Sequence, residues 1–352
     1  MISTGAVNAH THLYSGLAPL GMPAPEKAPA RFVEILERVW WRLDVALDRE
    51  TLRAAARYYV AHSLLAGTTT LIDHHESPRF LEGSLDVLAD ACESLGCRAV
   101  LCYGATERNG GRTEAQRGLA ECERFITANR RELVRGAVGL HASFTVSDAT
   151  VRDAGSLAER LGAALHVHVA EDGCDVDDAK ARGYDGVIAR LDSLDALREG
   201  DVLAHGVWLT DAEVDRVNAR GAWVVQCARS NENNRVGYPR AMKRASKVAI
   251  GTDGFASEMA VEASELARIA AASGDDLTDI PRRIAGGSAL AARFFGETHD
   301  TVRVEGRRVL DVTVAGRAVV RDGALVNADI HEIDAHARVA ADALWRAMRN
   351  AP

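Results

Sequence analysis

Two histidines lie two residues apart in an apolar, strand-like run near the start of the chain, residues 5–13. Side chains at positions i and i+2 of a strand point to the same face, so His10 and His12 can direct two imidazole nitrogens at one metal ion. A His-x-His pair also arises by chance, as two core or surface histidines. Whether this pair binds a metal therefore depends on the ligands that the rest of the chain supplies.

The elements that must position these side chains follow the order of a parallel α/β fold. Eight short apolar runs alternate with amphipathic stretches of helical length, and we predict strands at 6–13, 68–74, 98–103, 136–141, 164–170, 202–205, 222–227 and 247–252. Apolar residues spaced at helical intervals from Phe32 to Leu43 predict a helix after the first strand. The pattern predicts a (β/α)8 TIM barrel over residues 1–298.

The rhythm changes after the eighth strand. Residues 299–330 alternate in the manner of β-strands, with Gly306, Gly316 and Gly323 as turn signals, and predict a small C-terminal antiparallel β appendage. Residues 331–352 predict a C-terminal helix that packs on the barrel through one apolar face.

Polar residues end most of the predicted strands, and in a parallel barrel these ends form the active-site face. The set is His10, His12, Asp73, His74, His75, His141, His166, His168, Glu171, His205 and Asp253. One such histidine alone is more often a satisfied core residue, but that explanation fails for histidines from four or more strands together. Imidazoles with a carboxylate and no thiolate favour Zn²⁺ or Fe²⁺ over Mg²⁺ or Ca²⁺. Such an ion activates water, so the predicted chemistry is hydrolytic.

Composition excludes several classes of function. The chain is 47% hydrophobic and 26% charged, and no apolar run approaches the ~20 residues that cross a bilayer, so we expect no membrane role. The net charge is −8 and the basic residues are scattered, which argues against a nucleic-acid partner and favours a neutral or cationic small molecule. Six cysteines without framework spacing and a start unlike a signal peptide predict a cytoplasmic protein.

The strand-end stretches resemble the amidohydrolase superfamily, in the branch of guanine deaminase, the triazine hydrolases and the SsnA-type aminohydrolases. The matching segments occur in the family's order at 7–14, 67–75, 141–145, 166–171, 204–206 and 251–254. The SsnA-type similarity is closest, through residues 40–44, 73–75 and 141–145. The resemblance covers nearly the whole chain and implies the TIM barrel.

The resemblance also implies a ligand set and catalytic roles. One divalent metal ion, zinc in preference to iron, would be held by His10, His12, His168 and Asp253. Glu171 matches the acid that protonates a ring nitrogen of the substrate, and His205, with Asp253, matches the histidine that takes a proton from water. We interpret His166 as a neighbour of the ligands and not as a ligand itself.

Further residues are candidate substrate contacts. His141 stands where two-metal members of the superfamily carry a carboxylated lysine, which favours a single metal and a deaminase. The set of candidates is Tyr14, His74, His75, His141, Gln226, Arg229 and Asn231. Structural hydrogen bonding is an alternative for His74, His75 and His141. The segment from Val225 to Asn231 departs from the family, because Ala228 stands near the position of a usual proline.

Another departure concerns the small sheet. Relatives carry an N-terminal segment, before the His-x-His strand, that forms half of this sheet. We therefore expect an appendage without its usual N-terminal half, covered by the last helix or by another subunit in a homodimer, unless the gene start lies upstream. An uncovered sheet edge favours dimerisation.

These observations predict a mononuclear metal-dependent hydrolytic deaminase. Its substrate would be a heterocyclic or aromatic amine, such as a purine, pterin, pyrimidine or triazine, and it would release ammonia. One alternative is a hydrolase that displaces chloride or an amide amine from a similar ring. Another class is a catalytically inactive, ligand-binding homologue.

Overall fold

The computed structural model describes residues 1–350. Its strands, in chain order, are β1 (Ile2–Thr4), β2 (Ala6–Thr11), β3 (Thr68–His75), β4 (Arg98–Ala105), β5 (Val134–Gly136), β6 (Val138–Ala142), β7 (Leu165–Val169), β8 (Val202–His205), β9 (Trp223–Gln226), β10 (Val248–Ile250), β11 (Thr301–Glu305), β12 (Arg308–Val314), β13 (Arg317–Arg321) and β14 (Ala324–Leu325).

The α-helices are α1 (Phe32–Ile35), α2 (Trp41–Ala46), α3 (Arg49–Leu65), α4 (Ser84–Leu95), α5 (Gly111–Ala128), α6 (Asp148–Leu161), α7 (Gly173–Ala181), α8 (Val187–Ser193), α9 (Asp211–Arg220), α10 (Ala228–Asn233), α11 (Met259–Ala272), α12 (Ile280–Phe295) and α13 (Ile330–Arg349). A π-helical turn, Leu36–Trp40, joins α1 to α2. Among residues 1–350, no helix combines the length and hydrophobicity that a bilayer-spanning segment needs.

Eight parallel strands form the barrel, in the order β2-β3-β4-β6-β7-β8-β9-β10. Thr11 and Asp253 close it through a parallel bridge, and the amides of Thr252 and Asp253 both donate to the carbonyl oxygen of His10. The predicted TIM barrel and all eight predicted strands are confirmed. The structure adds β5, a short strand that pairs with β4.

Burial on both faces explains the composition of the barrel strands. Every residue of β3 is buried, although the strand begins with three threonines, because the strand lies between the barrel interior and the surrounding helices. Helix α3, which precedes β3, starts at a capping box, in which Asp48 and Thr51 each accept a hydrogen bond from the other's backbone amide.

A small antiparallel sheet lies beside the barrel, in the order β1-β11-β12-β13-β14. The predicted C-terminal appendage is confirmed, and the structure adds an N-terminal edge strand to it, with Ser3 paired with Val302. The sequence did not indicate β1, since three exposed residues carry no alternating pattern and backbone pairing alone defines the strand. β1 therefore lies in the range predicted for the barrel, residues 1–298, but belongs to the small sheet.

Helix α13 covers part of the barrel next to this sheet. It contacts α3 and α2, and its buried face includes Ile333, Ala337, Leu344, Trp345 and Met348. The indole nitrogen of Trp345 donates to the carbonyl oxygen of Leu20 at 3.0 Å. The helix thereby holds the segment after β2, which carries one wall of the pocket described below.

Candidate active site

The four predicted metal ligands converge at the carboxyl ends of the barrel strands. Nε2 of His12 lies 2.8 Å from Oδ1 of Asp253, and Nε2 of His10 lies 3.4 Å from the same oxygen. The Nε2 atoms of His12 and His168 are 3.3 Å apart. Ligand atoms of His10, His168, His205 and Asp253 also lie within 4.8 Å of one another. Residues from β2, β7 and the end of β10 therefore meet at one point.

The opposite nitrogen of each ligand histidine is held by a neighbour. Nδ1 of His12 donates to the carbonyl oxygen of His74, and Nδ1 of His168 donates to that of His141. Nδ1 of His10 lies 2.8 Å from Nε2 of His166. Such contacts fix the ring orientation and leave Nε2 as the ligand atom. His166 thus lies behind His10, as its interpretation as a neighbour of the ligands requires.

These residues fit a divalent metal ion. Nε2 of His10 is buried and has no hydrogen-bond partner among residues 1–350, so its lone pair is unsatisfied in a polar cluster. Burial lowers the pKa of His10 to about 3 and that of His168 well below its ordinary value, which keeps both imidazoles neutral, as metal ligation requires. The donor set of imidazoles and one carboxylate suits Zn²⁺ or Fe²⁺.

Asp253 is held as a carboxylate. Burial would raise its pKa, but the adjacent imidazoles of His10 and His12 outweigh burial and hold the pKa well below its ordinary value. Burial lowers the pKa of His12, yet Asp253 raises it to about 9. Oδ2 of Asp253 also accepts a hydrogen bond from Oγ of Ser230. The carboxylate is thereby available to a cation, which on binding would displace the proton from His12.

Three non-glycine residues at this face have left-handed backbone conformations. φ is +47° at Ala170, +73° at His205 and +54° at Asp253. Such conformations are unfavourable for L-residues and concentrate at functional sites, where the surrounding structure enforces them. Each one turns the chain sharply at the end of a barrel strand, which directs the side chains of Glu171, His205 and Asp253 into the mouth of the barrel.

Glu171 and His205 form a pair next to the metal cluster. Nε2 of His205 lies 3.5 Å from Oε2 of Glu171, and Nδ1 of His205 lies 2.9 Å from Oδ1 of Asn231. Nδ2 of Asn234 donates to Oε1 of Glu171 at 3.2 Å. Burial raises the pKa of Glu171 to about 7, against the lowering effect of His205. A carboxyl group with such a pKa can act as an acid near neutral pH.

A pocket opens above the cluster. Its aromatic and apolar side is formed by Phe32, Leu36, Trp40, Trp41 and Phe144, and its polar side includes Tyr14, Asp44, Glu76, His141 and Asn234. The π-helical turn places the consecutive residues Trp40 and Trp41 in the same wall, which a regular helix would not favour. Because the carboxylates outnumber the cations in the lining, the pocket suits a neutral or cationic ligand.

The predicted substrate contacts occupy different places. Tyr14 and His141 line the pocket. His74 is fully buried beneath it, with Nε2 2.9 Å from the carbonyl oxygen of Leu140, and Asn231 holds His205.

The other three predicted contacts lie outside the pocket lining. Nε2 of His75 lies 2.7 Å from Oγ of Ser77, Oε1 of Gln226 accepts from Arg283 at 3.0 Å, and Arg229 pairs with Glu262. These partners favour structural roles for His75, Gln226 and Arg229, although Nδ1 of His75 and Nε2 of Gln226 have no hydrogen-bond partner among residues 1–350.

Sequence reasoning missed five polar residues of the lining: Asp44, Glu76, Asp172, Asp175 and Asn234. Asp44 stands in the stretch that carries the SsnA-type similarity, and Glu76 directly follows the strand-end pair His74-His75. Their positions at strand and helix ends could have indicated them. Asn234 follows a short helix whose direction no sequence pattern predicts.

Comparisons with known proteins agree with this geometry. The sequence model of the Amidohydrolase family matches residues 1–305. The 5'-deoxyadenosine deaminase of Methanopyrus kandleri is 27% identical over 95% of this chain and 84% of its own length. The 8-oxoguanine deaminase of Pseudomonas aeruginosa is 30% identical over 73% of this chain, and the match spans 60% of that relative.

Solved structures share the fold. A zinc-bound adenosine deaminase from Xanthomonas campestris superposes with a TM-score of 0.83 at 26% identity, over 97% of this chain and 85% of its own. A zinc-bound atrazine chlorohydrolase from Arthrobacter aurescens gives a TM-score of 0.79 at 20% identity, over 97% of this chain and 88% of its own. The predicted family is confirmed, and the deaminases among the relatives agree with the predicted enzyme class. The chain belongs to the amidohydrolase family.

Proposed function

We propose that the protein is a hydrolytic deaminase that uses one metal ion to release ammonia from a purine-like heterocyclic amine. The observation that carries the proposal is the pair of Glu171 and His205, 3.5 Å apart, beside the converging side chains of His10, His12, His168 and Asp253. Candidates for an acid, a base and a set of metal ligands that lie this close together support the proposal.

Each group of residues has a separate role in the proposed reaction. His10, His12, His168 and Asp253 would hold the metal, which when bound supplies Lewis-acid activation of a water nucleophile. Glu171 donates a proton to the ring nitrogen next to the amine-bearing carbon, which makes that carbon electrophilic. Nε2 of His205, which has no hydrogen-bond partner among residues 1–350, accepts a proton from the attacking water. That proton passes from His205 to the amino group, which leaves as ammonia, and the hydroxyl group that remains on the ring carbon returns a proton to the carboxylate of Glu171.

The purine class and zinc are the finer parts of the proposal. The relatives named above act on 5'-deoxyadenosine and 8-oxoguanine, both purine compounds. The acidic lining of the pocket suits neutral or protonated bases. Zinc is bound in the adenosine deaminase from Xanthomonas campestris, and the imidazole-rich donor set of this chain is one that zinc shares with iron.

The test is ammonia release from the zinc-loaded protein over a panel of purines, pterins, pyrimidines and triazines. At least one purine should be turned over by the wild type and not by Glu171→Gln. If no member of the panel releases ammonia while the protein holds about one metal ion per chain, the proposal is wrong. Tight ligand binding without turnover would then support the inactive homologue.

The alternative of another leaving group uses the same residues. The chlorohydrolase similarity lies at 20% identity and shows the fold alone. Mass spectrometry of the product separates the reactions, because deamination replaces an amino group by a hydroxyl group and dechlorination replaces chlorine. We expect the first outcome, since the two relatives named above that match by sequence are both deaminases.

We also propose a cytoplasmic homodimer. Strand β1 is an exposed edge of the small sheet, and Ile2 is 70% exposed, which leaves backbone groups and an apolar side chain for a second copy. Sedimentation of the purified protein distinguishes a dimer from a monomer.

A further inference from the structure

Glu76 lies on the far side of the pocket from the acid Glu171. It follows β3, whereas Glu171 follows β7, and the barrel order β3-β4-β6-β7 places these strands three positions apart among eight. Both side chains line the same pocket, together with the metal-ligand residue His12. A planar ring that presents its amine side to Glu171 therefore presents its remote edge to the wall that contains Glu76.

Glu76 is held in a fixed position. Its Oε1 lies 2.8 Å from Nδ1 of His74. A Cβ atom at Gly104 would lie 2.3 Å from Oε1, so the position opposite Glu76 accepts no side chain. Only 2% of Glu76 is exposed. The carboxylate is thus preorganised, which is the condition for selective recognition.

The neighbouring wall contains polar atoms that lack partners. Oδ1 of Asp44, a residue that is 1% exposed and lines the pocket, has no hydrogen-bond partner among residues 1–350, and neither does Nε1 of Trp41. The other oxygen of Asp44 accepts from Arg108 at 2.9 Å. Buried groups without partners are costly, and in a pocket they are satisfied by the ligand. This wall therefore has unused hydrogen-bonding capacity.

We infer that Glu76 determines specificity by accepting a hydrogen bond from a ring N–H on the substrate edge remote from the reacting amine. The inference rests on the proposed function, because it takes Glu171 as the acid that fixes the orientation of the ring. A carboxylate can only accept hydrogen bonds. A ring atom that carries a lone pair in place of the N–H would therefore leave Glu76 without a donor and would repel its oxygen atoms. The substrate class is a free amino-heterocyclic base whose remote ring nitrogen carries hydrogen and no sugar.

Two ring systems of nearly equal shape test this inference. Pyrrolo[2,3-d]pyrimidin-4-amine carries an N–H on its five-membered ring, and furo[2,3-d]pyrimidin-4-amine carries an oxygen in the same place. Calorimetric titration of the zinc-loaded wild type should show at least ~10-fold tighter binding of the pyrrole compound. In Glu76→Gln the preference should fall below about threefold, because the amide can donate to the furan oxygen.

A matched control is Glu114→Gln. Glu114 is 5% exposed, accepts hydrogen bonds from Asn109 and lies outside the pocket lining, so this variant should keep the wild-type preference. Should Glu76→Gln fail to fold, Gly104→Ala is the second variant, since its methyl group would lie 2.3 Å from Oε1 of Glu76 and 2.4 Å from Cε1 of His74, so that the contact between these two side chains must shift. A general structural defect weakens both ligands equally and leaves their ratio unchanged.

The inference is overturned if the wild type binds both compounds equally, if it binds neither, or if a folded Glu76→Gln keeps the wild-type ratio. Because calorimetry does not require turnover, these outcomes are separate from a failure of the proposed function. That failure would appear as absent ammonia release from the whole panel.

Discussion

The metal cluster and the outer wall of the pocket are built differently. His10 and His168 lie inside barrel strands and His12 directly follows one, so that strand register and backbone hydrogen bonds fix their side chains. Asp44 and Trp41 come from a helix joined to a π-helical turn, and Glu76 lies just beyond a strand. The comparison indicates that the strands define the chemistry shared by the family and that the connecting segments define what the pocket accepts.

Glu171→Gln separates catalysis from metal binding and should have the largest effect on activity. Ammonia release should fall about 1,000-fold because the amide cannot protonate the ring nitrogen. Metal content, measured by mass spectrometry of the digested protein, should remain that of the wild type, since Glu171 is not part of the ligand set. Activity within tenfold of wild type would remove Glu171 from the role of acid.

Substitutions in the outer wall of the pocket should lower the stability of the protein without changing its metal content. Arg108→Met removes the cation that pairs with buried Asp44 and stacks over Trp41 at 4.7 Å. Loss of one partner of such a pair should lower the free energy of unfolding by about 3 kcal/mol, measured by urea denaturation. Metal content should not change. Arg244→Met, which breaks the exposed pair with Asp215, is the control and should leave unfolding unaltered.

Asn231→Ala tests whether the neighbours of the cluster act through His205. Removal of the oxygen at 2.9 Å from Nδ1 leaves the imidazole free to change its tautomer and orientation, so kcat should fall about 10- to 100-fold with KM nearly unchanged. Asn231→Asp keeps an acceptor and should restore most of the rate. An equal loss in both variants would indicate a defect in packing instead of orientation.

The pH dependence of kcat/KM offers a smaller effect. Burial raises the pKa of Glu171 to about 7, whereas His205, Asn234 and His12 oppose the rise and Asp253 adds to it. The acid form therefore predominates below about pH 7. Above pH 7, kcat/KM should decline about tenfold for each pH unit. A rate that increases between pH 7 and pH 9 would contradict the assignment of the protonated carboxyl group as the acid.

The sequence predicted the barrel because each buried strand is a short apolar run of its own, such as β4 and β8, whose residues are nearly all buried. It predicted the cluster because histidines at strand ends are few and chemically specific. It did not predict β1, whose pairing depends on backbone groups, or the π-helical turn that aligns Trp40 with Trp41. Gly104, on β4, closely approaches the side chain of Glu76, which only the tertiary structure shows.

The proposed ligands His10, His12, His168 and Asp253 should together bind one metal ion. Elemental analysis of the purified protein after zinc loading and removal of free metal tests it directly, with His168→Ala beside the wild type. We expect about one equivalent of zinc in the wild type and a loss of most of it in the variant. Less than half an equivalent of zinc in a folded wild type, or equal zinc in both proteins, would show that these four residues do not form the metal site.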